Sequence, residues 1–166
     1  MRSYALITGA SSGIGRAAAQ AFARQGARLV LAARDAEALA ETADECRALG
    51  GEVLVVPTDV THSDEVEALA SAAAEFGQGR IDVWINNAGI GGPIAPVADY
   101  PLDGWKSVID VNLKGTLYGI AAALPGFLEQ GSGHIINLSS VAGIKVFAPG
   151  GTVYSGTKFA VSAISE

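Results

Sequence analysis

Tyr154 and Lys158 stand four residues apart in Tyr154-Ser155-Gly156-Thr157-Lys158, a spacing that sets both side chains on one face of a helix. A phenol has an unperturbed pKa of about 10 and does little acid–base work near neutrality unless a nearby cation stabilises its phenolate. An ammonium one helical turn away supplies that cation. A phenol so placed can protonate a carbonyl oxygen as hydride reaches the carbon, or take the proton from an alcohol in reverse. Such a group is worth about 10²–10⁴-fold in rate. Taken alone, a Tyr-x-x-x-Lys pair is more often an ordinary feature of a helix surface, so its weight comes from its context.

Near the other end of the chain, Thr8-Gly9-Ala10-Ser11-Ser12-Gly13-Ile14-Gly15 follows an apolar run at 4–7. This is a Gly-x-x-x-Gly-x-Gly spacing at an expected strand-to-helix turn. Gly9 would permit the tight turn, Gly13 the close approach of backbone to a pyrophosphate, and Gly15 the close packing of helix on strand. The diphosphate would rest on the helix N-terminus. The plain alternative is a Gly/Ser turn that only joins a strand to a helix.

Between these two segments lie Thr58-Asp59-Val60, Asn86-Asn87-Ala88-Gly89, Asp110-Val111-Asn112-Leu113 and the run Ile135-Ile136-Asn137-Leu138-Ser139-Ser140-Val141-Ala142-Gly143. Together with the glycine motif and the Tyr/Lys pair, they resemble the short-chain dehydrogenase/reductase family, in family order and over essentially all 166 residues. The resemblance implies an oxidoreductase that moves a hydride between NADP(H) and a carbonyl or secondary alcohol. It implies that Gly9, Ser11, Ser12, Gly13, Ile14 and Gly15 form the cofactor turn, that the Asp59 carboxylate meets the adenine amino group, and that Val60 flanks that ring. Asn87 and Gly89 would lie beside the cofactor ribose, with Tyr154 and Lys158 at its reactive end. For Asn86, a structural role tying neighbouring strands is at least an equal reading. Ser140 would hydrogen-bond the substrate oxygen, with Ser139 as the fallback. Asn112 would sit in a locally distorted helix and hold a water linking Lys158 to solvent, completing a relay Ser140, Tyr154, Lys158, Asn112. Ser140 precedes Tyr154 by fourteen positions, one more than the family pattern, so a small insertion is expected within 144–151.

About twenty residues beyond the glycines, where an NAD-binding fold places an acid on the ribose 2′-OH, the chain reads Ala32-Ala33-Arg34, with Asp35 following. A guanidinium there accepts a 2′-phosphate bidentately, whereas an acid repels one. NADP(H) is therefore expected over NAD(H). A solvated Arg on a loop is the alternative.

These groups need a frame. Apolar runs at 4–7, 28–32, 52–56, 81–85 and 134–138 read as strands buried on both faces. They alternate with helical stretches near 13–25, 36–49, 63–76 and 103–130, and a further helix begins near Thr152. Thr61 with Asp64 suggests a capping box for the third helix. Pro125 should kink or end the fourth, and Gly131, Ser132 and Gly133 should turn into the fifth strand. The Gly-rich stretches 89–93 and 149–151 read as turns. Alternation of this kind specifies an α/β fold: a Rossmann-type doubly wound parallel sheet in three α/β/α layers, forming one domain. Because such a fold uses six strands and the sequence supplies five, it is expected to be truncated after the start of the helix carrying Tyr154 and Lys158.

Composition sets the remaining bounds. The net charge of −6 argues against a nucleic-acid partner, which needs clustered Lys and Arg, and favours a small-molecule substrate. Cys46 is the single cysteine, and His62 and His134 are far apart, so a metal-free mechanism in a reducing compartment is expected. No apolar run reaches the ~18 residues of a bilayer span. The apolar start is too short for a secretory signal, which leaves a cytoplasmic protein without a membrane partner as the expectation. The resemblance implies a homodimer or homotetramer built on the helices at 103–130 and from Thr152. Apolar loops at 90–97 and 144–147 suggest a substrate with hydrophobic surface. Two other readings stay open: a catalytically silent NADP-binding fragment or scaffold, and an epimerase or dehydratase using the same relay.

Overall fold

The computed structural model describes residues 3–92, 94–146 and 151–166. Pro93 and residues 147–150 lie outside the described residues, and with them part of the two Gly-rich turns and of the expected insertion.

Five parallel strands form one sheet in the order β3-β2-β1-β4-β5. They are β1 (Tyr4–Thr8), β2 (Arg28–Ala33), β3 (Glu52–Pro57), β4 (Val83–Asn86) and β5 (His134–Asn137). The helices are α1 (Gly13–Arg24), α2 (Ala36–Ala48), α3 (Ser63–Phe76), α4 (Leu102–Ile109), α5 (Gly115–Gln130) and α6 (Thr152–Ala163). The chain winds outward from β1 through β2 to β3, then returns to the other side of β1 with β4 and β5. A topological switch point is thereby created at the carboxyl ends of β1 and β4, the place where open α/β sheets bind ligands.

Period-two alternation along β1 explains the layers. Ala5 and Ile7 join Ala19, Ala23, Leu39 and Ala43 in a core beneath α1 and α2. Leu6 points the other way, into a core with Val66, Leu69, Ala123 and Phe127 from α3 and α5. Leu6, Ile7, Leu29 and Leu31 are wholly buried, each worth roughly 1.5–3 kcal/mol of burial.

Three expectations need correction. β3 and β5 are the sheet's edges and are not buried on both faces: β3 is only half-buried along most of its length, and His134 and Ile136 of β5 are exposed. Thr61 does not cap α3. Its hydroxyl donates instead to Asp59 Oδ1 at 2.8 Å, and the cap residue is His62, without a side-chain cap bond. Pro125 does not end its helix, because α5 runs through it to Gln130. Ala121, whose carbonyl loses its donor there, is exposed, so water can serve that oxygen while Ala123 and Phe127 anchor the buried face. The long helical stretch departs from α geometry earlier, in a π-helical turn at Asp110–Lys114 between α4 and α5. At its end Gly131 takes a left-handed C-cap (φ 69°) before the turn into β5.

A chain of buried amides ties the β4 side of the switch point together. Trp84 Nε1 donates to Asn86 Oδ1 (2.8 Å), and Asn86 Nδ2 donates to Asn137 Oδ1 on β5 (2.8 Å). Gly119 of α5 makes room for this chain: a Cβ there would drive into Asn86 Oδ1 and stand 2.9 Å from Trp84 Nε1. Gly119→Ala is therefore expected to lower stability by about 2 kcal/mol through overpacking and a broken buried amide. Urea unfolding measures it, and an unchanged midpoint would contradict the tight fit.

Candidate active site

The glycine turn between β1 and α1 is built by close approach. Gly9 (φ 65°) lies against Ala88 and Asn87, and a Cβ on it would stand 2.8 Å from Ala88 Cα. A Cβ on Gly15 would collide with the Gly9 carbonyl, so only glycine lets α1 fold back on the turn. Gly13 (φ 54°) differs: nothing lies within 4 Å of its Cβ position, so its backbone faces open space. Ser12 caps α1 by position only, making no side-chain bond to the helix, and the first turn holds no acid. The N–H groups at this helix end are free of side-chain caps and thus suited to an anion.

From that turn a cavity of about 720 Å³ extends over the carboxyl ends of the strands. It brings together Gly9, Ser11, Ser12, Gly13, Ile14, Arg34, Asp59, Val60, Asn87 and Gly89, every residue expected at the cofactor except Gly15, Tyr154 and Lys158. Gly15 is the packing residue just described. Asp35 also lines the cavity, but Asp35 Oδ1 accepts the Ala38 N–H at 3.0 Å as N-cap of α2. Arg16, which follows the motif, is turned away from the cavity and paired with Glu45 on α2.

Burial alone would raise the Asp59 carboxyl. The Thr61 N–H (3.0 Å) and Thr61 hydroxyl, both donating to Oδ1, outweigh it, and the Arg34 and His62 charges add to them, so Asp59 titrates below the usual carboxylate value. An anionic acceptor therefore stands at the cavity wall near neutrality.

Asn87 shapes the cavity floor. Its Nδ2 donates to the Thr8 carbonyl (2.8 Å) and the Gly9 carbonyl (3.1 Å), and its N–H and that of Ala88 donate to Thr8 Oγ1. The Asn-Asn pair thus holds β1, β4 and the glycine turn in register.

A second cavity, of about 210 Å³, continues the first through the shared residues Ile14, Asn87, Gly89 and Ile90. Gly91, Leu138, Ser139, Tyr154 and Lys158 complete its wall. Tyr154 is half-buried, and its ring centre lies 5.9 Å from Lys158 Nζ. Lys158 is 6 % exposed, its Nζ donates to the Leu138 carbonyl at 2.7 Å, and burial holds its ammonium below the usual lysine value.

The remaining two expected residues, Asn112 and Ser140, line neither cavity. Asn112 is fully buried in the π-helical turn; its Oδ1 accepts the Ile90 N–H (2.8 Å), and its Nδ2 donates to the Ile90 carbonyl (2.9 Å) and Thr157 Oγ1 (3.3 Å). It thereby fastens the floor segment at Ile90 to the helix that carries Tyr154 and Lys158. No direct hydrogen bond joins Asn112 to Lys158 among the described residues. Ser140 is half-buried, and its Oγ accepts the Ala142 N–H (3.1 Å) at the start of a 3-10 turn, Val141–Gly143. Ser139, not Ser140, lines the small cavity. Sequence reasoning missed the carbonyls of Leu138 and Ile90, since a backbone acceptor leaves no trace in residue type.

Known proteins are similar to this chain over nearly its whole length. The family model described as short chain dehydrogenase matches residues 3–166. An uncharacterised oxidoreductase of Listeria monocytogenes is 48 % identical over 161 residues, which are 97 % of this chain and 64 % of the relative's length. A short chain dehydrogenase/reductase of Burkholderia phymatum, solved in complex with NAD, is 40 % identical with a TM-score of 0.93, over 99 % of this chain and 58 % of that one. A metagenomic short-chain oxidoreductase in complex with NADP is 38 % identical with a TM-score of 0.90, over 98 % and 71 %. This chain belongs to the short chain dehydrogenase family.

Proposed function

We propose that this chain is the cofactor-binding and catalytic part of an NADP(H)-dependent oxidoreductase acting on a carbonyl or secondary alcohol. The observation that carries the reading is the continuity of the two cavities: Tyr154 and Lys158 face a space that opens directly into the cleft above the strand ends. The groups present fit a dinucleotide: a helix N-terminus without a side-chain cap, an open Gly13 backbone, an anionic Asp59 and the Arg34 guanidinium on one wall. When bound, the nicotinamide supplies or accepts the hydride.

The chain's own residues handle the proton. Tyr154 gives its hydroxyl proton to the substrate oxygen during reduction and takes it back during oxidation. Lys158, held by Leu138, presents the ammonium that stabilises the phenolate left behind. Ser140 directs its hydroxyl hydrogen at the same substrate oxygen, its own oxygen being occupied by the Ala142 N–H. Asn112 keeps the floor at Ile90 fixed beneath the reacting groups and belongs to the relay through which Tyr154 is reprotonated. A homodimer or homotetramer belongs to the same reading, with Leu117, Leu124 and Leu128 of α5 and Phe159 of α6 exposed for contact, as does a cytoplasmic location. Among the described residues, no helix is long and apolar enough to cross a membrane.

The preference for NADP(H) rests on Arg34 and on the commitment of Asp35 to its helix, which leaves the second strand end without an acid free to hold a 2′-OH. Arg34→Ala is expected to weaken NADP⁺ about 10- to 100-fold, the worth of a charge-assisted pair, and NAD⁺ by less than about twofold. Titration calorimetry with both nucleotides checks this, and equal losses for the two would remove Arg34 from the argument. Turnover is tested by NADPH oxidation against ketones, aldehydes and β-ketoacyl thioesters. Because the chain spans 64 % of the length of its Listeria relative, binding without turnover would favour the catalytically silent reading, and product formation without net NADPH loss an epimerase or dehydratase.

A further inference from the structure

We infer that Ser139 is a positioning residue that fixes Lys158 through its main chain, so that two consecutive residues at the exit of β5 hold both ends of the catalytic lysine. The inference rests on the reading of Lys158 as the ammonium beside Tyr154.

Leu138 and Ser139 follow β5 directly, and each takes one part of Lys158. The Leu138 carbonyl accepts the Nζ at 2.7 Å, and the Ser139 hydroxyl donates to the Lys158 carbonyl at 2.9 Å. A third group closes the arrangement. Ser162, one turn further along α6, has its Oγ 2.8 Å from Ser139 Oγ and 3.1 Å from the same Lys158 carbonyl. With one hydrogen per hydroxyl, the two serines share these three contacts: each can donate to the Lys158 carbonyl, and either can donate to the other. Gly143, at the end of the 3-10 turn, seals it: a Cβ there would collide with Ser139 Oγ and stand 2.6 Å from the Lys158 carbonyl.

Such a hydroxyl is poorly placed to serve a substrate, even though Ser139 lines the small cavity, because its contacts with the Lys158 carbonyl and with Ser162 both tie it to α6. It matters because the Lys158 side chain is buried and, among the described residues, makes one hydrogen bond, which its Nζ donates to the Leu138 carbonyl. The side chain has four rotatable bonds, so the position of its ammonium depends on where the main chain beneath it is held. Fixing the carbonyl and the Nζ from adjacent residues just beyond β5 makes a shift of α6 along the strand end costly.

The experiment follows the lysines of the chain itself and needs neither substrate nor cofactor. Lys106, Lys114, Lys145 and Lys158 are the only four, so ¹³Cε-labelled lysine gives four resonances by NMR, and Lys158→Met identifies the one in question. In the unsubstituted chain this resonance should titrate below the ordinary lysine value, as burial dictates. In Ser139→Ala, α6 is released, water reaches the ammonium, and the midpoint should rise toward the ordinary lysine value by about half a pH unit or more. Ser162→Ala keeps the Ser139 bond to Lys158 and should move it by clearly less. Ser139→Cys, whose thiol is a weaker donor, covers the case in which the alanine variant does not fold, and should give a smaller rise. An unmoved Lys158 midpoint in a folded Ser139 variant, or an equal rise in Ser162→Ala, overturns the inference. Failure of the acid–base reading is told apart by Tyr154→Phe, since undiminished turnover there would remove the role of the phenol while leaving these titrations intact.

Discussion

Tyr154→Phe is expected to cut turnover by about 10²–10⁴-fold, the contribution of a positioned general acid, while NADP⁺ affinity stays within about twofold. The substitution removes one oxygen and keeps the ring, which is half-buried and lies 5.9 Å from the Lys158 ammonium. The cavity wall keeps its shape, and the groups that would hold the phosphates and adenine, from the glycine turn to Asp59, are untouched. The loss should therefore fall on kcat and kcat/KM together, as for an interaction made in the transition state alone. NADPH oxidation monitored by absorbance gives the rates, and nucleotide titration gives the affinity. Near-native turnover in a variant that binds NADP⁺ normally would exclude the phenol as the proton donor. Loss of binding together with turnover would instead mark Tyr154 as part of the cofactor wall.

How far the sequence reaches can be judged from particular residues. β1, β2 and β4 were readable because a strand with neighbours on both sides and helices on both faces must be apolar throughout, and Ala5-Leu6-Ile7 and Leu29-Val30-Leu31 are buried accordingly. The edge strands β3 and β5 share that composition without the burial, because exposure at an edge depends on what pairs beside them and not on residue type. Thr61 suits a cap by residue type, but Asp59, two residues earlier, offers its hydroxyl a nearer acceptor. The glycine turn was readable in detail, since the close contacts at Gly9 and Gly15 admit no side chain. Asn112 could be placed in a distorted helix only through family resemblance; nothing in Asp-Val-Asn-Leu distinguishes a π-helical turn from an α-helical one. Ser139 and Ser140 are chemically identical in sequence, and only the fold separates a hydroxyl bonded to α6 from one that starts a 3-10 turn.

Lys158→Met is expected to push stability and function in opposite directions. Lys158 is 6 % exposed, and burial is the cause of its lowered titration, with no carboxylate contributing. A buried charge without a counter-ion costs free energy that a thioether of similar length does not. Against this stands the loss of the bond to the Leu138 carbonyl. The net result at neutral pH should be a gain of about 1 kcal/mol in the variant. The pH dependence tests the cause. A lysine whose pKa is lower folded than unfolded binds more protons in the unfolded state as pH passes between the two values, so the unsubstituted chain recovers stability as pH rises through that window. The advantage of Lys158→Met should be largest below the folded pKa and shrink toward the ordinary lysine value near ~10.4. Urea unfolding at neutral and alkaline pH measures both chains. Turnover should meanwhile fall by about 10²-fold or more, because the phenolate loses the cation that makes its formation affordable. A variant that is both less stable and fully active would contradict the two halves at once. A variant that is more stable and inactive would identify Lys158 as a charge kept buried for chemistry at the expense of the fold.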